Sequence, residues 1–349
     1  MDNTTYISNE EADLFPNEAA KIVSIVTLAV IIFLTVVGNL LVIFSVIVFA
    51  RLQTVTNYFV TSLAVADFLV GAVVLPFSTA YIYIQEWFYG VTWCNLWVSI
   101  DVCVCTASVL NLFAIAVDRY IAITSPFQYH IRMSPRNAAV AIAFVWVASV
   151  MMSVFPIMSG LNTTDYNIQN IDTPNACGFE TNPYYTVIVG ILAFWIPLIG
   201  MCLVYLSLFR TARTQARRIA AMDKAVAANN PNGTQAKRER KAAKTLGIIM
   251  GCFLVCWGPY IVYWTLSDVC KINVSYDGLN AMTWMGYLNS TLNPLIYAFF
   301  NKEFRRAFQK LLSCGKCQQL PSKWKDTVLH EPTQLSNAGV PMHIPVSDS

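Results

Sequence analysis

Seven stretches of mostly apolar residues recur along this chain, at 22–50, 57–84, 95–123, 137–159, 185–209, 243–267 and 279–300. Nothing else in the sequence restricts its fold so tightly. A helix needs about 20 apolar residues to cross the hydrocarbon core of a bilayer. Inside lipid a backbone must satisfy its own hydrogen bonds, so long apolar stretches become helices. The expected fold class is an all-α membrane protein built as a seven-transmembrane helix bundle. Composition agrees, because only 12% of residues are charged, about half the share usual in a soluble domain. Interior prolines (Pro76, Pro156, Pro197, Pro259, Pro294) fall in five spans. Packed membrane bundles accommodate such kinks.

Orientation follows from the basic residues, which concentrate on the cytoplasmic side. With the N-terminus outside, only Lys21 and Lys271 of the 23 Lys and Arg lie on the extracellular side. Glycosylation sequons at Asn3, Asn162 and Asn273 fall on that same side, whereas those at Asn232 and Asn289 do not. The first 20 residues are polar and acidic, so no cleavable signal peptide is expected and the first span serves as the targeting signal. The expected organisation is a tail at 1–20, a seven-span domain at 21–301, a membrane-surface helix at 302–313 and a disordered cytoplasmic tail at 314–349. The surface helix is read from apolar residues at 304, 307, 308, 311 and 312, with basic residues opposite them. Cys314 and Cys317 follow it, and palmitoylation suits them better than a zinc half-site lacking further ligands. The small net charge of +3 gives no reason to expect nucleic acid as a partner.

Ionisable residues at bilayer depth are functional candidates by default. Three acids qualify: Asp67, Asp101 and Asp118. Asp101 lies in the outer half of the third span, 18 residues and about 27 Å from Arg119 at the inner end. No Lys or Arg is available in the outer halves, so its partner is either a ligand ammonium group or local hydroxyls such as Tyr287. Asp67 lies deeper, with Ser108, Asn289 and Asn293 as possible neighbours. Such an oxygen-rich group suits an allosteric sodium ion or forms a structural polar network. Asp118-Arg119-Tyr120 ends the third span, and Glu239 opens the sixth on the same side. Arg119 therefore has two alternative acids, the makings of a two-state element.

Gly38-Asn39, Leu63-Ala64-Val65-Ala66-Asp67, Asp118-Arg119-Tyr120, Trp146, Pro197, Cys256-Trp257-Gly258-Pro259 and Asn293-Pro294-Leu295-Ile296-Tyr297 touch all seven spans. Together they resemble the rhodopsin-like G-protein-coupled receptors. That resemblance implies a disulfide between Cys94 and Cys177, and the extracellular face is oxidising enough for one. Within the family, Asp101, Trp284 and Tyr287 are similar to the biogenic-amine receptors. Lys241 to Gly251 and the segment around Pro76 are similar to trace-amine-associated receptors and the type-4 serotonin receptor. Tyr297-Ala298-Phe299-Phe300 departs from the usual trace-amine pattern towards the serotonin receptor.

The resemblance further implies a plasma-membrane receptor whose partners are a small amine, a stimulatory or olfactory G protein with its βγ subunits, arrestin and a receptor kinase. Amine receptors for ring-hydroxylated ligands place Ser or Thr on the fifth span. The matching positions here are Val189, Gly190 and Ala193, which argues against catecholamines. The ligand-binding set expected is Asp101 with Cys105, Trp97, Val189, Ala193, Trp257, Tyr260, Trp264, Trp284 and Tyr287. Cys105 and the other membrane cysteines also read as small apolar fillers, and aromatic rings favour ammonium groups. A second acid, from Glu180, Asp268 or Asp277, would hold the far end of a diamine. An alkylamine, diamine or polyamine is the expected ligand, with a serotonin-type or other neurotransmitter amine as the alternative. Pro197, Val109 and Phe253 are similar to the family's core switch, with Tyr205 and Tyr297 supporting the active arrangement. A transporter would show inverted repeats, which are not seen. An enzyme would need a catalytic constellation, and the three histidines (130, 330, 343) form none.

Overall fold

The computed structural model describes residues 18–172, 175–223, 232–270 and 275–313. The chain divides into two units, Met1–Phe308 and Gln309–Ser349. Every regular element among the described residues is helical. Seven long helices are numbered as the spans are: α1 (Glu18–Val48), α2 (Val55–Ile84), α3 (Gly90–Thr124), α4 (Pro135–Ser159), α5 (Pro183–Val189, Gly190–Trp195 and Ile196–Asp223 in succession), α6 (Asn232–Cys270) and α7 (Tyr276–Phe300). A short helix, Pro126–Arg132, follows α3, and α8 (Lys302–Leu312) follows α7.

Six of the long helices are apolar enough over 18 residues to cross a membrane by composition alone. α7 is long enough but carries Asn280, Thr283, Asn289, Ser290, Thr291 and Asn293. Asn289, Ser290, Thr291 and Asn293 are buried, facing protein rather than lipid. The outer faces of the bundle are apolar, as Phe33, Phe144 and Leu203 illustrate with more than 60% exposure. In a soluble protein such patches would be a liability, whereas lipid covers them here.

Two departures from regular helix interrupt α2 and α5. Val70–Val74 in α2 and Gly190–Trp195 in α5 are π-helical. Each ends two residues before a proline, Pro76 and Pro197. Proline has no N–H to give back along the helix and its ring crowds the preceding turn. A widened turn absorbs that mismatch. In α4, Pro156 likewise cannot donate to the carbonyl of Met152. There the Tyr185 hydroxyl of α5 donates to Met152 instead, at 2.9 Å.

α3 runs through the middle, packed against α2, α4 and α5. Val104, Ala107, Val109, Leu112 and Ile115 make it the spine of the main hydrophobic core. Cys94 at its start is bonded to Cys177, with a Cα–Cα separation of 5.7 Å. At the far end of the chain, Phe304 of α8 stacks on Tyr297 at 5.3 Å.

Candidate functional site

A cavity of about 410 Å³ opens between α2, α3, α5, α6 and α7 at the disulfide end of the bundle. Asp101 sits on its wall. The Tyr287 hydroxyl donates to Asp101 Oδ2 at 2.7 Å and the Cys105 thiol to Oδ1 at 3.4 Å. No Lys or Arg stands among the described residues that line the cavity around this carboxylate. Asp101 is also the sole acid among the described residues that line the cavity.

Aromatic rings form much of the remaining wall. Trp97, Trp257, Tyr260, Trp264 and Tyr287 all line it. Trp257 stands edge-on to both Tyr260 and Tyr287, at 5.8 and 6.2 Å. Its indole lies flat on α7 at Gly286, where an added Cβ would come within 2.9 Å of the ring. Trp97 Nε1 donates to the Val74 carbonyl in the π-turn of α2. Ring faces carry negative potential and attract an ammonium group. A carboxylate in their midst gives that group a charge-assisted acceptor.

Deeper in the bundle Asp67 is fully buried. Its Oδ1 accepts from Ser290 at 2.7 Å and Ser108 at 3.4 Å, and its Oδ2 accepts from Asn293 at 2.8 Å. Both side-chain polar atoms of Asn289, along with Asn293 Oδ1 and Asn111 Oδ1, are buried without a protein partner. Buried polar atoms ordinarily find one, and Asn293 donates to Asp67 while its own Oδ1 has none.

At the opposite end of α3 the acid is saturated. Asp118 Oδ2 accepts from Arg119 Nε at 2.9 Å, from an Arg119 terminal nitrogen at 2.6 Å and from Thr56 at 2.6 Å. Its Oδ1 accepts from Tyr129 at 2.8 Å. Arg119 donates as well to the Thr56 hydroxyl and to Tyr129. Burial, then the Asp118 charge, push the Tyr129 phenol above its ordinary range, so it remains a donor at neutral pH.

The family model described as the seven-transmembrane receptor, rhodopsin family, matches residues 38–297. The chain belongs to the rhodopsin family of seven-transmembrane receptors. Among its relatives are the histamine H2 receptors of Cavia porcellus, 39% identical over 84% of this chain and 80% of theirs, and of Homo sapiens, 39% identical over 85% and 81%. The octopamine receptor beta-2R of Chilo suppressalis is also 39% identical, over 83% and 79%. These names do not carry the narrower likeness to trace-amine and type-4 serotonin receptors expected from the sequence. As a rhodopsin-family receptor, the protein is not an enzyme.

Most of the residues singled out in this receptor's sequence come together. Asp101, Trp97, Cys105, Val189, Trp257, Tyr260, Trp264 and Tyr287 line one cavity. Three do not. Trp284 packs edge-on against Tyr287 at 5.8 Å, and its place on the cavity face of α7 is taken by Thr283. Ala193 is fully buried in the π-turn of α5. Glu180 is exposed, although its backbone is tied into the loop.

Other expectations are altered too. Asn162 is fully buried, and its Nδ2 donates to Gln169 and to the Glu180 carbonyl, so the folded receptor offers no glycan acceptor there. Asn289 does not bond Asp67, and Ser290 does. Val109 and Phe253 share the main core, with Pro197 buried on α5. Tyr297 is buried with its hydroxyl unpartnered, and Tyr205 is half-buried. The side chains of Glu239, Asp268 and Asp277, and all of Asn3, Asn273, Cys314 and Cys317, lie outside the described residues.

Sequence reading missed Tyr81, Phe179, Thr181, Phe194, Asn280 and Thr283, all on the cavity wall. The spacing of Asn280, Thr283 and Tyr287, three and then four residues apart, was the legible signal of a shared helix face.

Proposed function

We propose that this receptor is activated by a small protonated amine and signals through a heterotrimeric G protein, with a rise in cyclic AMP through a stimulatory subunit. The observation that carries the ligand half is Asp101, a carboxylate without a basic partner on the wall of an aromatic cavity. The relatives named for histamine and octopamine are amine receptors by name, and that supports the same ligand class.

A monoamine fits the cavity better than a diamine. One acid lines it among the described residues, and Glu180 faces away. Val189 presents no hydroxyl from α5, while Ser78, Asn280 and Thr283 present polar groups from α2 and α7. The trace-amine reading stands as a narrower version of this one. It predicts alkylamines as the strongest agonists.

The lysine asymmetry supports a plasma-membrane topology with the N-terminus and the cavity outside. In that topology the Arg119 cluster faces the G protein, and later arrestin and a receptor kinase. Arg119 leaves Asp118 as α6 moves, and an agonist drives this only by binding the open state more tightly. Asp67, Ser108 and Ser290, with the orphaned oxygens of Asn289 and Asn293, suit an allosteric sodium ion in the resting state.

The test is a cyclic-AMP screen of octopamine, histamine, alkylamines, diamines and polyamines on cells expressing wild type or Asp101→Ala at matched surface level. A response to at least one amine, lost in the variant, is expected. Equal responses in both would end the amine-binding reading.

A further inference from the structure

The segment between α4 and α5 reaches over the cavity and contributes Cys177, Gly178, Phe179 and Thr181 to its lining. No strand or helix occurs among its described residues from Leu161 to Asn182. Backbone polar groups buried there still need partners. Side-chain amides supply them.

The Asn170 amide bonds both backbone groups of one residue. Its Nδ2 donates to the Gly178 carbonyl and its Oδ1 accepts from the Gly178 N–H, each at 3.0 Å. Two residues on, the Glu180 N–H donates to Gln169 Oε1 at 3.0 Å and the Glu180 carbonyl accepts from Asn162 at 2.7 Å. In an antiparallel ladder, alternate residues give both of their backbone groups to a neighbouring strand. Residues 178 and 180 do the same here, with amide side chains standing in for that strand. The alternation has a second effect, because successive side chains point to opposite faces. Glu180 is exposed on one face, and Phe179 and Thr181 point into the cavity on the other.

The cradle is anchored to the bundle. Asn95 of α3 donates to the Gln169 carbonyl and accepts from Asn170, both at 2.9 Å. All four amides are at most 7% exposed. Asn170 has φ of 65°, a left-handed conformation that asparagine tolerates better than most residues. From the roof, Phe179 stacks on Trp264 of α6 at 6.4 Å and meets Tyr185 of α5 edge-on at 6.1 Å.

We propose that the buried amides of Asn95, Asn162, Gln169 and Asn170 hold residues 178–181 as a preformed roof over the amine cavity, and so act as positioning residues for ligand binding through Phe179 and Thr181. None of the four lines the cavity. A wall ordered before the ligand arrives removes an ordering cost from binding, and its loss shows mainly in the dissociation rate. The ligand half of this inference rests on the amine reading, and the roof itself does not.

Two measurements on full-length receptor test it. Hydrogen exchange in the segment 177–182 needs no ligand. Asn170→Ala and Gln169→Leu should each speed exchange there by at least about tenfold, while the core of α3 stays protected. In membranes, with octopamine and histamine as probes, Asn170→Ala should speed dissociation several-fold in the wild-type background. It should add little in a Phe179→Ala background, because the amide acts through that ring. Unchanged exchange, or equal acceleration in both backgrounds, overturns the proposal. Asn95→Ala replaces any variant that fails to reach the surface. If neither probe binds wild type, the amine reading is what suffers, and the exchange result alone decides the roof.

Discussion

Asp101 and Asp118 stand on one helix, 17 residues and about 25 Å apart, and they keep very different company. Asp118 has a guanidinium, a threonine and a tyrosine around it. Asp101 has a phenol, a thiol and an open cavity. A carboxylate surrounded by protein donors stores a conformation, since something must break for Arg119 to move. A carboxylate without a basic partner on a cavity wall is open to a cation from outside the protein. The same residue type on the same helix is thus held by protein donors at one end and, under the proposed function, left for a ligand at the other.

Removing each charge in turn is the hardest test of that contrast. Asp101→Asn should weaken agonist potency about 100-fold, at the upper end of what a charge-assisted bond contributes, with surface expression unchanged. Asp118→Asn should leave agonist affinity within a few-fold and raise basal cyclic AMP, because the latch rather than the ligand site has been cut. Similar potency losses in both variants would erase the distinction. A smaller effect is expected at Gly286→Ala, where the new methyl has to displace the Trp257 ring. Overpacking of this kind costs about 1–3 kcal/mol and would appear as lower thermal stability with reduced agonist efficacy. Thr56→Ala and Tyr129→Phe should each raise basal signalling less than Asp118→Asn, because each removes hydrogen bonds to the charged pair and leaves the pair itself in place, and ligand binding should not change. Tyr287→Phe should shift potency about tenfold, the lower end for a hydrogen bond to a charged group, and its effect should vanish in Asp101→Asn.

The ends of the molecule also differ in how legible they were. Asp118, Arg119 and Asp101 could be found by asking which charges the membrane would not tolerate. The disulfide of Cys94 with Cys177 was implied by family resemblance, and the structure forms it. Counting aromatic residues placed Trp284 in the cavity, but its neighbour Thr283 holds that face of α7. Counting back from Pro197 placed Val189 and Ala193 together. The π-turn that begins at Gly190 and contains Ala193 breaks the regular period, so Val189 lines the cavity and Ala193 does not. Asn162 matched a glycan signal in a stretch of polar residues, and its burial depends on Gln169 and Glu180, which no local pattern announces. The roof residues were invisible for the same reason. Their positions are set by amides from another helix and from the far side of the loop.

The π-turns at Val70–Val74 and Gly190–Trp195 carry a consequence for how this scaffold diversifies. Each holds one residue more than a regular turn needs. Deleting that residue would restore an ordinary helix and rotate everything beyond it by about 100°. The half of the helix nearer Arg119 would stay in register with its neighbours while the half nearer the cavity presented a new set of side chains. Each turn is therefore a vernier, through which a one-residue indel can reset chemical selectivity without disturbing the signalling end.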